Sequence, residues 1–127
     1  MNINKELLKN FKLLYIEDDA TVREELSRLM SDFFAKVYIA NDGQEGYEIF
    51  LNNSDEIDII LTDINMPKLN GIDLVKKVRK SSSIPVLITT AHSDSDYLSQ
   101  AIKLKVYEYI TKPVDVRELL KILENLA

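Results

Sequence analysis

Five short apolar runs, each separated from the next by a longer amphipathic stretch, constrain this chain more than any other feature. The runs fall at 13–16, 37–39, 57–61, 85–88 and 106–110. Each has strand length, and β-branched and aromatic residues dominate them. Strands that are apolar nearly throughout belong to a sheet covered on both faces, which points to parallel pairing. The stretches between them read as helices. Val22, Leu26, Leu29, Met30 and Phe33 recur at helical spacing, with Glu24, Glu25 and Arg28 on the other face. Thr21 and Glu24 read as a capping box at the start of this helix. Asp115 and Glu118 repeat the device ahead of the last helix, whose apolar stripe is Val116, Leu119, Leu120 and Leu123. Further helices are expected at about 43–53, 71–80 and 95–105.

Five strand–helix units in 127 residues favour an open, doubly wound α/β sandwich over a closed eight-unit barrel, which needs ~250 residues. Right-handed crossovers then place helices on both faces of the sheet. The expected division is an N-terminal extension over 1–11 and one domain over 12–127. In the extension, Ile3, Leu7, Leu8 and Phe11 read either as one face of a further helix or as part of a frayed terminus.

Composition removes several classes of chemistry. The chain has no cysteine, so disulfides, thiolate metal sites and thiol nucleophiles are excluded together. The formal net charge is −5, which argues against direct nucleic-acid binding, since phosphate recognition needs a basic patch. No apolar run approaches a membrane span, and the start lacks the apolar segment of a secretory signal. A cytoplasmic location without membrane contact is expected.

In open parallel sheets, ligands bind at the carboxyl ends of the strands. Glu17, Asp18 and Asp19 follow the first apolar run, Asp63 the third, Thr89 and Thr90 the fourth, and Lys112 with Pro113 the fifth. Two carboxylates ~4 Å apart repel by ~4 kcal/mol at an effective dielectric of ~20, so such a cluster needs an offsetting charge. A hard divalent cation such as Mg²⁺, which takes carboxylates, water and phosphate oxygens, would supply it. Lys112 is a point charge suited to a phosphoryl oxygen or to a carboxylate, and an aspartate can itself be a nucleophile that forms an acyl phosphate. Structural roles compete for some of these residues. Asp19 reads as a helix cap favoured by the helix dipole, Asp58 as a surface or capping residue at a strand entrance, and Gly71 after Asn70 as a turn glycine. His92 is the only histidine, and a lone loop histidine is more often a surface residue than a ligand.

The run Leu14-Tyr15-Ile16-Glu17-Asp18-Asp19, then Asp63-Ile64-Asn65-Met66-Pro67 with Asn70-Gly71, then Ile88-Thr89-Thr90-Ala91, then Tyr109-Ile110-Thr111-Lys112-Pro113 resembles the response-regulator receiver family of two-component phosphorelay systems. Each motif alone is common; four in order, each at a strand end, cover nearly the whole chain. The resemblance implies a five-stranded sheet in the order 2-1-3-4-5. It implies Asp63 as phosphoacceptor, and Asp18, Glu17, Asp63 and the backbone carbonyl of Asn65 as Mg²⁺ ligands. It implies Thr90 and Lys112 as partners of the phosphoryl group and Tyr109 as a switch aromatic coupled to Thr90. Tyr107 is a similar residue nearby, but the family pattern puts the aromatic three before the lysine. Asn65 and His92 stand where the family tunes phosphoryl lifetime, and the Lys112–Pro113 bond is expected to be cis.

The donor implied is a phosphohistidine on a sensor histidine kinase or phosphotransfer protein. The surface implied to respond is the fourth helix, fifth strand and fifth helix. Output would pass to an effector domain of a longer protein, to a separate output protein, or through a phosphorylation-dependent homodimer. One self-limiting reaction at one residue is not turnover, so the chain is read as a signalling phosphoacceptor rather than an enzyme.

Four other readings fit less well. A metal-dependent nuclease or topoisomerase-like domain would want a second aspartate where Asn65 stands. A flavodoxin-like cofactor binder would want a neutral, hydroxyl-rich loop where the three acids stand. An aspartate-nucleophile phosphatase would carry its nucleophile after the first strand. A pseudo-receiver would lack at least one of Asp18, Asp63 and Lys112.

Overall fold

The computed structural model describes residues 8–91 and 95–126. Elements alternate along the chain: β1 Lys12–Ile16, α1 Ala20–Ser31, β2 Lys36–Ala40, α2 Gly43–Asn52, β3 Ile59–Asp63, α3 Gly71–Arg79, β4 Val86–Thr90, α4 Ser95–Lys103, β5 Glu108–Thr111 and α5 Val116–Leu126. The strands form one parallel sheet in the order β2-β1-β3-β4-β5, the order implied by the family resemblance. The central strands β3 and β4 are buried along their whole length, whereas the edge strand β2 is partly exposed. Burial on both faces is what a parallel sheet flanked by helices imposes on its central strands.

Strand alternation sends successive side chains to opposite faces and divides the core in two. Leu13, Tyr15, Leu61, Leu87 and Ile110 pack with Leu26 and Met30 of α1 and with Leu119 and Leu123 of α5. Leu14, Ile16, Ile60 and Ile88 pack with Phe50 of α2, Ile72 and Val75 of α3, and Ala101 of α4. Leu8 is fully buried against the α1/α5 side and Phe11 packs beside it. Phe11 also accepts a hydrogen bond from Ala35 N at 2.9 Å. Leu8 and Phe11 therefore contribute to the core, while residues 1–7 of the anticipated extension lie outside the described residues.

The helix starts are fixed by short polar side chains. Asp19 caps α1, accepting from Thr21 N at 3.0 Å and Val22 N at 3.1 Å. The capping box expected at Thr21 and Glu24 is thus corrected: the cap lies two residues earlier, where a carboxylate faces the free N–H groups and the helix dipole. Asp42 caps α2, Asn70 caps α3, and Asp115 accepts from Arg117 N and Glu118 N at the start of α5. Asp58 accepts from Lys12 N at 2.8 Å, a strand-entrance role as expected.

Candidate functional site

Glu17 directly follows β1, its N–H donating to Ala40 O at 3.1 Å and so prolonging the β1–β2 ladder. Asp63 is the last residue of β3. Tyr15 is paired with Leu61, so Glu17 and Asp63, two residues further on, emerge side by side on the same face. Lys112 follows β5 and is tied to the end of β4 by its own N–H, which donates to Thr90 O at 2.6 Å. The Lys112–Pro113 bond is cis, as expected.

These three side chains meet. Lys112 Nζ lies 2.9 Å from Asp63 Oδ2 and 3.2 Å from Glu17 Oε1. Each acid uses its other oxygen on backbone: Asp63 Oδ1 accepts from Ile64 N at 2.8 Å, and Glu17 Oε2 from Asp19 N at 3.1 Å. Glu17 and Asp63 are buried, at 2% and 6% exposure, while Asp18 is exposed. One carboxylate oxygen each from Glu17, Asp18 and Asp63 lies within 4.8 Å of the others. The site therefore concentrates three carboxylates against one ammonium.

The electrostatics follow from that imbalance. Burial pushes the Glu17 carboxyl above its ordinary pKa, and the neighbouring Asp63 charge adds to the push. The Asp19 N–H and Lys112 oppose it without cancelling it. Burial works against the charge on Lys112, but the hydrogen bond and charge of Asp63, and then of Glu17, outweigh it and raise its pKa. The ammonium is held in its charged form by the acids it bridges. Tyr15 lies on the same face of β1, and burial, followed by the charges of Glu17 and Asp63, pushes its hydroxyl well above the usual phenol range.

Thr90 is the last residue of β4 and is buried. Its neighbour Thr89 is the register partner of Asp63. Tyr109 pairs with Ile88, so by alternation Tyr109 and Thr90 share the opposite face from Asp63. The Tyr109 hydroxyl is buried with no hydrogen-bond partner among the described residues. Asn65 is exposed just past Asp63, and Tyr107 is also exposed. His92 lies outside the described residues.

Three features of the site were not anticipated. Arg23, in the first turn of α1, donates from Nη1 to Glu17 O at 2.9 Å and to Asp18 O at 3.4 Å, fixing the backbone that carries both acids. Gly71 is more than a turn glycine, since a Cβ there would stand 2.2 Å from the Asp63 carbonyl oxygen. Tyr15 reads as core from its apolar run, yet its hydroxyl is buried and unpartnered. Only the last carried a sequence signal: its spacing of two from Glu17 puts both on one face.

The topology and the acid cluster at the strand ends define a class, and comparison with known proteins names it. The profile of the response regulator receiver domain matches residues 13–124. The chain is 33% identical over 120 residues to the probable transcriptional regulator ycf29 of Pyropia yezoensis, covering 92% of this chain and 53% of that protein. It is 29% identical over 116 residues to a two-component response regulator of Arabidopsis thaliana, covering 91% of this chain and 21% of that one. It thus spans about half or less of the length of these curated relatives. Among solved structures, the N-terminal domain of an uncharacterized protein from Wolinella succinogenes superposes with a TM-score of 0.86 at 35% identity, over 91% of this chain and 93% of that one. A response regulator receiver domain protein from Clostridium thermocellum gives 0.85 at 34% identity, again over 91% and 93%. The chain belongs to the response regulator receiver domain family, the signalling family of two-component systems. Among the described residues, no helix is long and apolar enough to cross a membrane.

Proposed function

We propose that this domain accepts a phosphoryl group on Asp63. The observation that carries the proposal is the contact of Lys112 Nζ with Asp63 Oδ2 at 2.9 Å, beside three carboxylate oxygens within 4.8 Å of one another. In the reaction, one Asp63 carboxylate oxygen attacks phosphorus. The O–P bond forms as the N–P bond of a phosphohistidine breaks, and the imidazole leaves. The donor is a sensor histidine kinase or a phosphotransfer protein. Hydrolysis of the acyl phosphate later restores Asp63 and ends the signal, so the chain acts as a phosphoacceptor and not as a turnover enzyme.

The donor set fits Mg²⁺. Mg²⁺ is a hard cation that takes carboxylate oxygens, and three carboxylates present one oxygen each within 4.8 Å of the others. Glu17, Asp18 and Asp63 would hold the ion, with the Asn65 backbone carbonyl completing the protein ligands. When bound, Mg²⁺ supplies the positive charge that lets an anionic phosphoryl group approach this cluster. The chain's own contribution is positioning and charge. Arg23 and the Asp19 N–H hold the acid loop. Lys112 gives its charge to a phosphoryl oxygen. Thr90 donates its hydroxyl to another.

Engagement of Thr90 and Lys112 selects one of two conformations. The coupled partner of Thr90 is Tyr109, on the same face of the sheet, and the responding surface is α4, β5 and α5. That surface binds an output partner or a second copy of the domain. The output lies outside residues 12–127, in a further domain of a longer chain or in a separate cytoplasmic protein. Asn65 and His92 set the lifetime of the phosphoryl group. Intact mass after incubation with acetyl phosphate tests the core of this reading: one phosphoryl group is gained with Mg²⁺, and none with chelator or in Asp63→Asn. No gain in the wild type from either acetyl phosphate or a phosphorylated kinase would overturn it.

A further inference from the structure

Tyr15 is 2% exposed, and its hydroxyl has no hydrogen-bond partner among the described residues. A buried hydroxyl left unpaired is destabilising relative to a phenylalanine of the same shape. Tyr15 nevertheless stands on the face of β1 that carries Glu17 two residues on, and across from Leu61 and Asp63 of β3. Tyr15, Glu17 and Lys112 line one cleft between α1 and the start of α5, walled by Leu26 and Val114 and floored by Thr89.

Glu17 is satisfied for now by other donors, Lys112 on Oε1 and the Asp19 N–H on Oε2. The first of these is shared, because the same ammonium bonds Asp63. Once Asp63 is esterified, the phosphoryl oxygens compete for Lys112, and Glu17, buried and an Mg²⁺ ligand in the reading above, loses that hydrogen-bond donor. A phenol is protonated at neutral pH, and the unpartnered Tyr15 hydroxyl belongs to a residue that lines the same cleft as Glu17. We propose that Tyr15 is a positioning residue whose hydroxyl donates to Glu17 when Lys112 turns to the phosphoryl group. The proposal rests on the phosphoacceptor reading above.

Tyr15→Phe in the full chain separates this role from packing. Binding is followed by thermal stabilisation, first with Mg²⁺ alone and then with beryllofluoride, a phosphoryl mimic, at saturating Mg²⁺. With Mg²⁺ alone, Lys112 still serves Glu17, so affinity stays within about twofold of the wild type. With beryllofluoride it falls about tenfold, the scale of one hydrogen bond to a charged group. In chelator the variant is at least as stable as the wild type. Equal changes in both affinities, no change in either, or a clear loss of stability in chelator would each overturn the proposal and leave Tyr15 a packing residue. A wild type that fails to bind beryllofluoride removes the phosphoacceptor reading itself, and the role of Tyr15 falls with it.

Discussion

Asp18→Asn should stabilise the metal-free protein and destabilise it, relative to wild type, once Mg²⁺ is added. The magnitude follows from the charges. Asp18 contributes an oxygen within 4.8 Å of oxygens of Glu17 and Asp63. At that distance each like-charge pair costs about 3.5 kcal/mol at an effective dielectric of ~20 and about 0.9 kcal/mol in water. Asp18 is exposed, so solvent screening moves the value toward the lower figure. The Lys112 ammonium beside both acids cancels part of the remainder. Removing the Asp18 charge should therefore raise stability by about 1–2 kcal/mol in chelator, or a few degrees in melting temperature for a domain of this size.

Asp63→Asn behaves differently, because Asp63 loses two repulsions but also its contact with Lys112 at 2.9 Å. That attraction is about 5.7 kcal/mol at the same dielectric, against about 3.5 kcal/mol for the repulsion from buried Glu17 and nearer 0.9 kcal/mol for that from exposed Asp18, so the net change should stay within about 1–2 kcal/mol. Thermal melts followed by far-ultraviolet circular dichroism, in chelator and in a Mg²⁺ series, test both statements. Wild type gains RT ln(1 + [Mg²⁺]/Kd), about 2.7 kcal/mol at a hundredfold excess over Kd. Asp18→Asn gains less, so the two stability curves cross. A less stable Asp18→Asn in chelator, or curves that run parallel through the Mg²⁺ series, would refute the reasoning.

Gly71→Ala should cost about 3 kcal/mol in urea denaturation, since its Cβ would meet the Asp63 carbonyl oxygen at 2.2 Å and backbone must shift; acetyl phosphate labelling of Asp63 should fall with it. Lys112→Met leaves Glu17 and Asp63 buried without their counter-ion. It should cost about 3–5 kcal/mol in chelator, and saturating Mg²⁺ should recover part of that loss, which paired denaturation curves would show. Ile102 on α4 is 67% exposed. Ile102→Glu should therefore change stability by less than about 0.5 kcal/mol while weakening phosphorylation-dependent association, measured by sedimentation with and without beryllofluoride.

The order of elements was legible because each strand is an apolar run and each helix carries a stripe. The ends of the strands were not. β3 and β4 run on to Asp63 and Thr90, two residues past the ends of the apolar runs at 61 and 88. Hydrophobicity stops where the site begins, although the ladder continues. β5 begins late, at Glu108, because Lys105 takes a positive φ of 58° and Val106 N is used by Ala101 O. Glu17, Asp18, Asp63 and Lys112 could be grouped from their places after strands. Arg23 could not, because its partners are carbonyl oxygens, which every residue carries. The Asp19 cap was visible as a carboxylate at a helix start, but Thr21 with Glu24 offered a competing pattern that only the backbone decided.

Register explains how the proposed chemistry and read-out can differ in location while staying adjacent. β1 and β3 are neighbours at the centre of the sheet, and the pairing of Tyr15 with Leu61 brings Glu17 and Asp63 to one face. Ile110 packs on that same side, so Lys112 two residues later reaches the acids from β5. Thr90 and Tyr109 belong to the other face by the same alternation. On β4 the two sides are one residue apart: Thr89 pairs with Asp63, and Thr90 comes next. A slip of one residue in either β1–β3 or β3–β4 pairing would turn Glu17 or Thr89 away from Asp63 and send the side chains of the slipped strand to the opposite core layer. The hydrophobic pattern that stabilises the two core layers therefore also fixes which carboxylates meet Lys112. In the proposed switch, Thr90, one residue beyond the register partner of Asp63, would link a phosphoryl group on Asp63 to the α4 side.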